Sequence, residues 1–202
     1  LVTSMEHHSN FVPWQQICEN KNAKLKVVPV EEDGSLDMEL LDKMLSEKVK
    51  LFAITHISNV MGTINPVKEI IEKAHTYGIP VLVDGAQAVA HTSVDVQDLD
   101  CEFYCFSSHK VYGPMGFGVL YGKSHWLNNL KPYQYGGEMI STVTIDETTF
   151  NEIPYKFEAG TPNVSGALAT VEALKYIENI GISEIAEYED ELLEYATQKL
   201  KE

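Results

Sequence analysis

Residues 101–122 read CEFYCFSSHKVYGPMGFGVLYG, and this stretch decides the fold. The apolar run at 101–107 predicts a buried strand, which Ser, His and Lys follow before a loop with three glycines and a proline. That loop has neither the Walker spacing nor a following helix, so its glycines predict a tight turn into a further strand at 117–122. Lys110 is either a solvated loop residue or a nucleophile, and the rest of the chain decides between the two.

Apolar runs alternate with helical patterns along most of the chain. Such alternation predicts the α/β class, a mostly parallel sheet sandwiched by helices. The predicted strands are 25–30, 49–56, 80–84, 101–107 and 117–122. The predicted helices are 10–20, 36–48 and 66–78, and the chain turns helical from about Ser165.

The two ends of the chain resemble cut ends. The first residues, LVTS, resemble the tail of a strand, and the charged helix at the other end stops without a cap. We therefore expect a piece of a longer protein, truncated at both ends. We expect a core domain over residues 1–165 and a helical segment over 166–202 that leads toward a C-terminal domain.

Composition excludes several classes of function. A net charge of −15 over 202 residues argues against nucleic acid or an anionic membrane as a partner. No apolar run has the length of a membrane span. Three cysteines without a framework spacing are typical of a reducing compartment and predict a cytoplasmic protein. All 15 basic residues are lysines, so any anionic ligand is held without the bidentate arginine clamp.

Polar and ionisable residues follow four predicted strands. Because ligands bind beyond the carboxyl ends of parallel strands, we expect these side chains to meet at one edge of the sheet. They are His7, His8 and Ser9; His56, Ser58 and Asn59; Asp84 and Gln87; and Ser107, His109 and Lys110.

Asp84 and Lys110 form the most informative pair. Asp84 ends the apolar run VLV and precedes a glycine, which alone is equally consistent with an Asp-Gly turn. Lys110 follows 26 residues later, beyond one further strand. A strand-end aspartate can keep a pyridinium nitrogen protonated, and a lysine in a dry pocket readily becomes a nucleophile. Together they predict a pyridoxal-phosphate (PLP) site.

Six blocks of sequence carry a family resemblance. The chain resembles the group II, SufS-like cysteine desulfurases, which are related to selenocysteine lyases, within the class V aminotransferase family of fold type I PLP enzymes. The resemblance extends over nearly the whole chain, and GGEMI and FEAGTPN favour the SufS-like branch over the NifS/IscS-like branch. The blocks are EHHSNFVPWQ (6–15), HISNVMGT (56–63), VDGAQAVAH (83–91), FYCFSSHKVYGPMGFGVLYG (103–122), GGEMI (136–140) and FEAGTPN (157–163).

The resemblance implies a role for each matching residue, beginning with those that hold the cofactor ring. Lys110 would attach the cofactor covalently, and Asp84 would pair with its pyridine nitrogen. His8 would stack on the ring, while Asn59 and Gln87 would address its phenolic oxygen.

The remaining implied roles concern the phosphate. Ser107 and His109 would hold it, and Thr161 with the Gly136-Gly137 loop would reach the phosphate region of a neighbouring subunit. The resemblance thus implies a homodimer with a shared site. His7 is expected to be a structural neighbour.

The implied activity is removal of sulfur from L-cysteine to give alanine and an enzyme persulfide. Sulfur would then pass to an acceptor protein of the SufE/SufU type for iron–sulfur cluster assembly. The chain departs from the family in two ways: it has no arginine for the substrate carboxylate, and none of Cys18, Cys101 and Cys105 lies in the family's reactive loop. We therefore expect this chain alone to be inactive.

Three alternatives remain open. L-Selenocysteine could be the substrate, since selenocysteine lyases share the scaffold. The chain could instead be an inactive binding or dimerisation module. A metal hydrolase is disfavoured, because the sequence has no HExxH motif and His7 and His8 are adjacent rather than on one helical face; we expect no metal site.

Overall fold

The computed structural model describes residues 1–201. The strands are β1 (Val2–Thr3), β2 (Val27–Val28), β3 (Phe52–Thr55), β4 (Val81–Asp84), β5 (Phe103–Ser107), β6 (Gly118–Gly122), β7 (Ile140–Val143) and β8 (Thr148–Phe150). The helices are α1 (His8–Asn20), α2 (Met38–Met44), α3 (Val67–His75), α4 (Val96–Leu99), α5 (Ser124–Asn129), α6 (Val164–Ile180) and α7 (Ile182–Lys201).

The central sheet is mostly parallel, as the alternating pattern predicts. Strands β3, β4 and β5 pair in parallel, and β6 returns antiparallel to β5 after the glycine-rich turn. Strand β1 pairs in parallel with β2, and the Leu1 carbonyl accepts a hydrogen bond from the Ala53 amide of β3 at 3.0 Å. The strand order is therefore β2–β1–β3–β4–β5–β6, with the carboxyl ends of five parallel strands at one edge.

The hydrophobic core lies between the central sheet and the helix that follows β3. Every residue of β3 is buried, as expected for a strand covered on both faces. Helix α3 buries an apolar stripe with helical spacing, formed by Val67, Ile70, Ile71 and Ala74. These side chains belong to one cluster with Phe52, Ile54, Val81 and Val83 of the sheet.

Helix α1 begins two residues earlier than the sequence predicts. The His7 side chain caps it by accepting a hydrogen bond from the Ser9 amide at 3.2 Å, and the Asn10 amide donates to the His7 carbonyl at 2.8 Å. Pro13 consequently lies inside the helix rather than in its first turn. The position of the cap was not evident because histidine is not a usual N-cap residue.

The second half of the chain adds a hairpin and two long helices. Strands β7 and β8 pair antiparallel, and α6 packs on the core through Ile177, which contacts Ala90 and Val111. Helix α7 buries none of its residues. No helix within residues 1–201 is long and apolar enough to cross a membrane. The domain division at residue 165 stays a prediction.

Gly85 tests how tightly the site edge is packed. A Cβ atom at this position would lie 2.0 Å from Cε1 of Tyr104, whose ring fills the space beneath the turn. We expect Gly85→Ala to lower the free energy of unfolding by about 1–3 kcal/mol, because the buried ring must move. Urea denaturation measures the change. Gly137→Ala is the matched control, since no atom lies within 4 Å of its added Cβ; equal stability of the two variants would contradict the packing.

Candidate active site

The carboxyl edge of the sheet gathers the predicted site residues. Thr55, Asp84 and Cys105 are paired side by side across β3, β4 and β5. The loops that leave these strands also meet, because the Gln87 side-chain amide donates a hydrogen bond to the Asn59 side chain. The sequence predicted these two residues to address the same atom, and the structure brings them together.

Asp84 is a buried carboxylate without a cationic partner. It is 7% exposed, and its Oδ1 accepts one hydrogen bond, from the Ala86 amide at 2.9 Å. This bond shows that the Asp-Gly turn suggested by the sequence also exists. No lysine or histidine pairs with Asp84 within the described residues. Because burying an unpaired charge is costly, this carboxylate favours a cationic ligand.

Lys110 ends a short 3-10 turn that immediately follows β5. Its side chain is half-buried and forms no ion pair with any residue of the described chain. The turn is fixed from both sides of the lysine. Ser108 is fully buried and its hydroxyl lies 2.7 Å from that of Thr170 in α6, while Val111 is fully buried against α6. The sequence analysis did not assign these anchoring roles to Ser108 and Thr170.

Three further predicted residues at the carboxyl edge of the sheet differ in exposure. Ser107 is half-buried at the end of β5, and His109 is exposed beside Lys110. His8 is exposed at the first residue of α1, with its ring centroid 6.1 Å from that of His7. All three are open to a ligand at the carboxyl edge.

A second group of predicted residues comes together in another pair of loops. The Gly160 amide donates a hydrogen bond to the Gly137 carbonyl at 3.0 Å, and Gly136 lies against Ala159. Thr161 is exposed. The cap of α6 is Asn163, whose side chain accepts from the Gly166 amide at 2.9 Å, so Thr161 is not used as the helix cap.

Glu6 is an ionisable residue near the site that sequence reasoning missed. It is 9% exposed, and burial raises its pKa to about 7 despite three hydrogen bonds to its carboxyl. The negative charge of Asp84 also raises this pKa. The one available signal was its place within EHHSN, three residues after the end of the short strand β1.

A buried His–Tyr pair supports the Asp84 turn from the opposite face. The Tyr104 hydroxyl and Nδ1 of His56 lie 3.0 Å apart, and the His56 amide donates to the Asp84 carbonyl at 2.9 Å. Burial lowers the pKa of His56 and raises that of Tyr104. Both side chains are therefore neutral at pH 7.

Cys101 and Cys105 are poor nucleophiles where the structure places them. Burial raises the pKa of Cys101 to about 11 and that of Cys105 to about 12. Cys101 precedes β5 rather than lying in it, and Cys105 lies within it. Cys18 lies near the far end of α1. The thiolate is the reactive form, so the two buried thiols are inert at neutral pH.

The comparisons with known proteins agree on one family. The model of the class-V aminotransferases matches residues 1–202, and the chain belongs to that family. A cysteine desulfurase of Enterobacter sp. (strain 638) is 52% identical over 201 residues, which is 99% of this chain and 50% of that protein. The chain thus spans about half the length of the curated relatives it matches.

Solved structures confirm the fold expected from the sequence. The apo structure of a cysteine desulfurase from Thermococcus onnurineus NA1 superposes with a TM-score of 0.95 at 36% identity, covering 99% of this chain and 50% of that one. A lysine-to-alanine mutant of C-DES, with glycine covalently linked to its PLP cofactor, gives a TM-score of 0.81 at 25% identity, covering 92% and 51%. The mostly parallel α/β fold of this chain is that of fold type I PLP enzymes, and PLP is the cofactor of its family.

The residues present fit PLP. Asp84 is a buried anion without a cation, and Lys110 is a half-buried cation without an anion. These two side chains leave strand ends that are neighbours in the sheet, β4 and β5. Lys110 would hold an aromatic aldehyde such as PLP through its amine, and Asp84 would pair with the basic ring nitrogen.

Glu6 predicts a measurable pH dependence of stability. Its pKa is about 7 in the folded chain against an ordinary value of 4.5, so the folded state binds more protons between those values. Stability therefore falls as pH rises from about 5 through 7, by at most about 3 kcal/mol from this group. Urea denaturation at pH 5 and 8 should show a flatter pH dependence for Glu6→Gln than for the wild-type chain.

The comparison of pH dependences cancels other titrating groups, such as His56, because both chains contain them. The exposed Glu31→Gln serves as the control and should retain the wild-type pH dependence. Parallel pH profiles for wild type and Glu6→Gln would contradict the raised pKa.

Proposed function

We propose that this chain is the PLP-binding core of an L-cysteine desulfurase. The observation that carries the proposal is the pair formed by Asp84 and Lys110, each partly or fully buried and each without a charged partner among the described residues. The named relatives support the substrate class, because cysteine desulfurases match the whole length of the chain at about half identity.

Lys110 and Asp84 divide the chemistry between them. When bound, PLP supplies an electron sink that stabilises negative charge at the substrate Cα. Lys110 Nζ is the attachment atom, and in its neutral form it can also accept a proton. Asp84 holds a proton on the ring nitrogen by its negative charge, which costs little further reorganisation because the carboxylate is fixed by the Ala86 amide.

The other predicted residues bind and orient the cofactor. His8 covers the ring, the Asn59–Gln87 pair donates to the phenolic oxygen, and Ser107 with His109 binds the phosphate. In a protein whose cations are all lysines, hydroxyl and imidazole donors take the place of an arginine clamp.

We also propose a homodimer with a shared site. Thr161 and the adjoining Gly136-Gly137 loop are exposed and held together, as a surface that reaches a second subunit's phosphate would be. The SufS-like branch, a cytoplasmic location and sulfur delivery to a SufE/SufU-type acceptor for iron–sulfur cluster assembly complete the proposal for the full-length protein.

Lys110 is expected to be the attachment residue for PLP. Borohydride reduction of the PLP-loaded chain, followed by peptide mapping, should place the pyridoxyl group on Lys110, because this half-buried amine has no competing carboxylate. Lys110→Ala should abolish the reducible linkage, whereas Lys131→Ala, at an exposed position, should leave it intact. Label on a different lysine, or a reducible linkage in Lys110→Ala, would end the assignment.

The 202-residue chain alone is expected not to turn over L-cysteine. Cys101 and Cys105 are held as thiols by their raised pKa, and no arginine is available to orient the substrate carboxylate. Without a nucleophilic thiolate, no persulfide can form. Without a group that orients the substrate, the reaction also loses the lowering of its barrier by proximity, which is on the order of 7 kcal/mol.

The measurement for this prediction is the joint yield of sulfide and alanine from the PLP-loaded chain with L-cysteine and a reductant. L-Selenocysteine in a parallel reaction tests the alternative substrate. Several turnovers of both products would show that one of the three cysteines is the nucleophile. The Cys18→Ser variant would then show whether the nucleophile is Cys18, which lies in helix α1.

A further inference from the structure

We propose that Glu6 is a positioning residue: its buried carboxyl fixes the segment that carries His8. The inference rests on the proposed function, since it assigns to Glu6 the placement of a residue that covers the cofactor ring.

The carboxyl of Glu6 joins three elements at the site edge. Oε1 accepts hydrogen bonds from the Thr3 hydroxyl of β1 at 2.6 Å and from the Thr55 amide of β3 at 3.0 Å. Oε2 accepts from the Asn10 side chain of α1 at 2.6 Å. One buried side chain therefore ties the loop between β1 and α1 to the neighbouring strand and to the first turn of the helix.

His8 depends on this network for its position. Its side chain is exposed and lies two residues beyond Glu6, at the start of the helix that Asn10 secures from within. The His7 cap secures the same turn from outside through the Ser9 amide. Because no buried contact of its own holds the His8 ring, the backbone set by Glu6 determines where the ring lies.

The first experiment tests the enclosure of the Glu6 carboxyl without any cofactor. Carboxyl NMR titration of the wild-type chain should give a midpoint near 7 for Glu6, because burial raises its pKa from the ordinary value of 4.5. A midpoint at the ordinary value would overturn the enclosure on which the positioning role depends.

The second experiment measures positioning by visible circular dichroism of bound PLP, which reports how asymmetrically the ring is held. Glu6→Gln should retain PLP on Lys110 yet lose at least half of this signal, as His8→Ala should. The double variant should lose little more than either single change, because the two residues act through one contact. Glu102→Gln alters a carboxyl that is equally buried but lies at the opposite edge, and it should retain the wild-type signal.

Two further variants keep the test decisive if Glu6→Gln does not fold. Asn10→Leu and Thr3→Val each remove one donor to Glu6, but only Asn10 belongs to the helix that carries His8. The visible signal should fall in Asn10→Leu and persist in Thr3→Val. A wild-type signal in Glu6→Gln or Asn10→Leu would overturn the positioning role. Failure of the wild-type chain to link PLP to Lys110 would instead refute the proposed function, and the NMR titration would still decide whether the Glu6 carboxyl is enclosed.

Discussion

Parallel pairing of β3, β4 and β5 places the central groups of the candidate site, Asp84 and Lys110 among them. In this register Thr55, Asp84 and Cys105 stand next to one another, at the spacing of roughly 4.8 Å that separates neighbouring strands. The loop that follows each strand therefore begins at the same edge of the sheet. Residues separated by tens of positions in the sequence therefore lie at one edge of the sheet. The buried apolar cluster, which joins these strands to helix α3, supplies the rigidity.

The chain treats buried carboxylates differently at the two edges of the sheet. At the amino edge, Glu102 is desolvated, which raises its pKa, but hydrogen bonds from Lys123, the Val81 amide and His75 outweigh burial and lower it. At the carboxyl edge, Asp84 has a single backbone donor and no cation within the described residues. A buried carboxylate that has cationic and hydrogen-bond partners belongs to the structural framework. A buried carboxylate without a cation favours the binding of a cationic ligand. This contrast distinguishes a structural ion-pair network from a binding site.

The sequence predicted the strands of the central sheet, their parallel order and the groups at the carboxyl edge, because these depend on local apolar runs and on chain order. The predicted strand 101–107 contains β5, and the predicted strand 80–84 begins one residue before β4. The hairpin of β7 and β8 was not predicted. The sequence could not predict contacts that depend on side chains meeting across the fold. The Glu6 network requires β1 to lie beside β3, and the Tyr104 ring beneath Gly85 requires the register of β4 on β5. The start of α1 was missed for the same reason, since an imidazole acts as its cap only in the observed geometry.

The buried hydroxyl pair between Ser108 and Thr170 has a mechanical consequence. Thr170 also donates to the Gly166 carbonyl of its own helix, so its hydroxyl is fully committed between α6 and the turn that carries Lys110. Sliding or rotating α6 would strand these hydroxyls without partners, at a cost of about 1–3 kcal/mol each. Helix α6 and the lysine turn are therefore held as one packed unit. Helix α7 starts directly after Gly181, whose φ of 97° lies in the region that favours glycine, and it is tied to the same body by the contact between Glu189 and His91 at 2.9 Å.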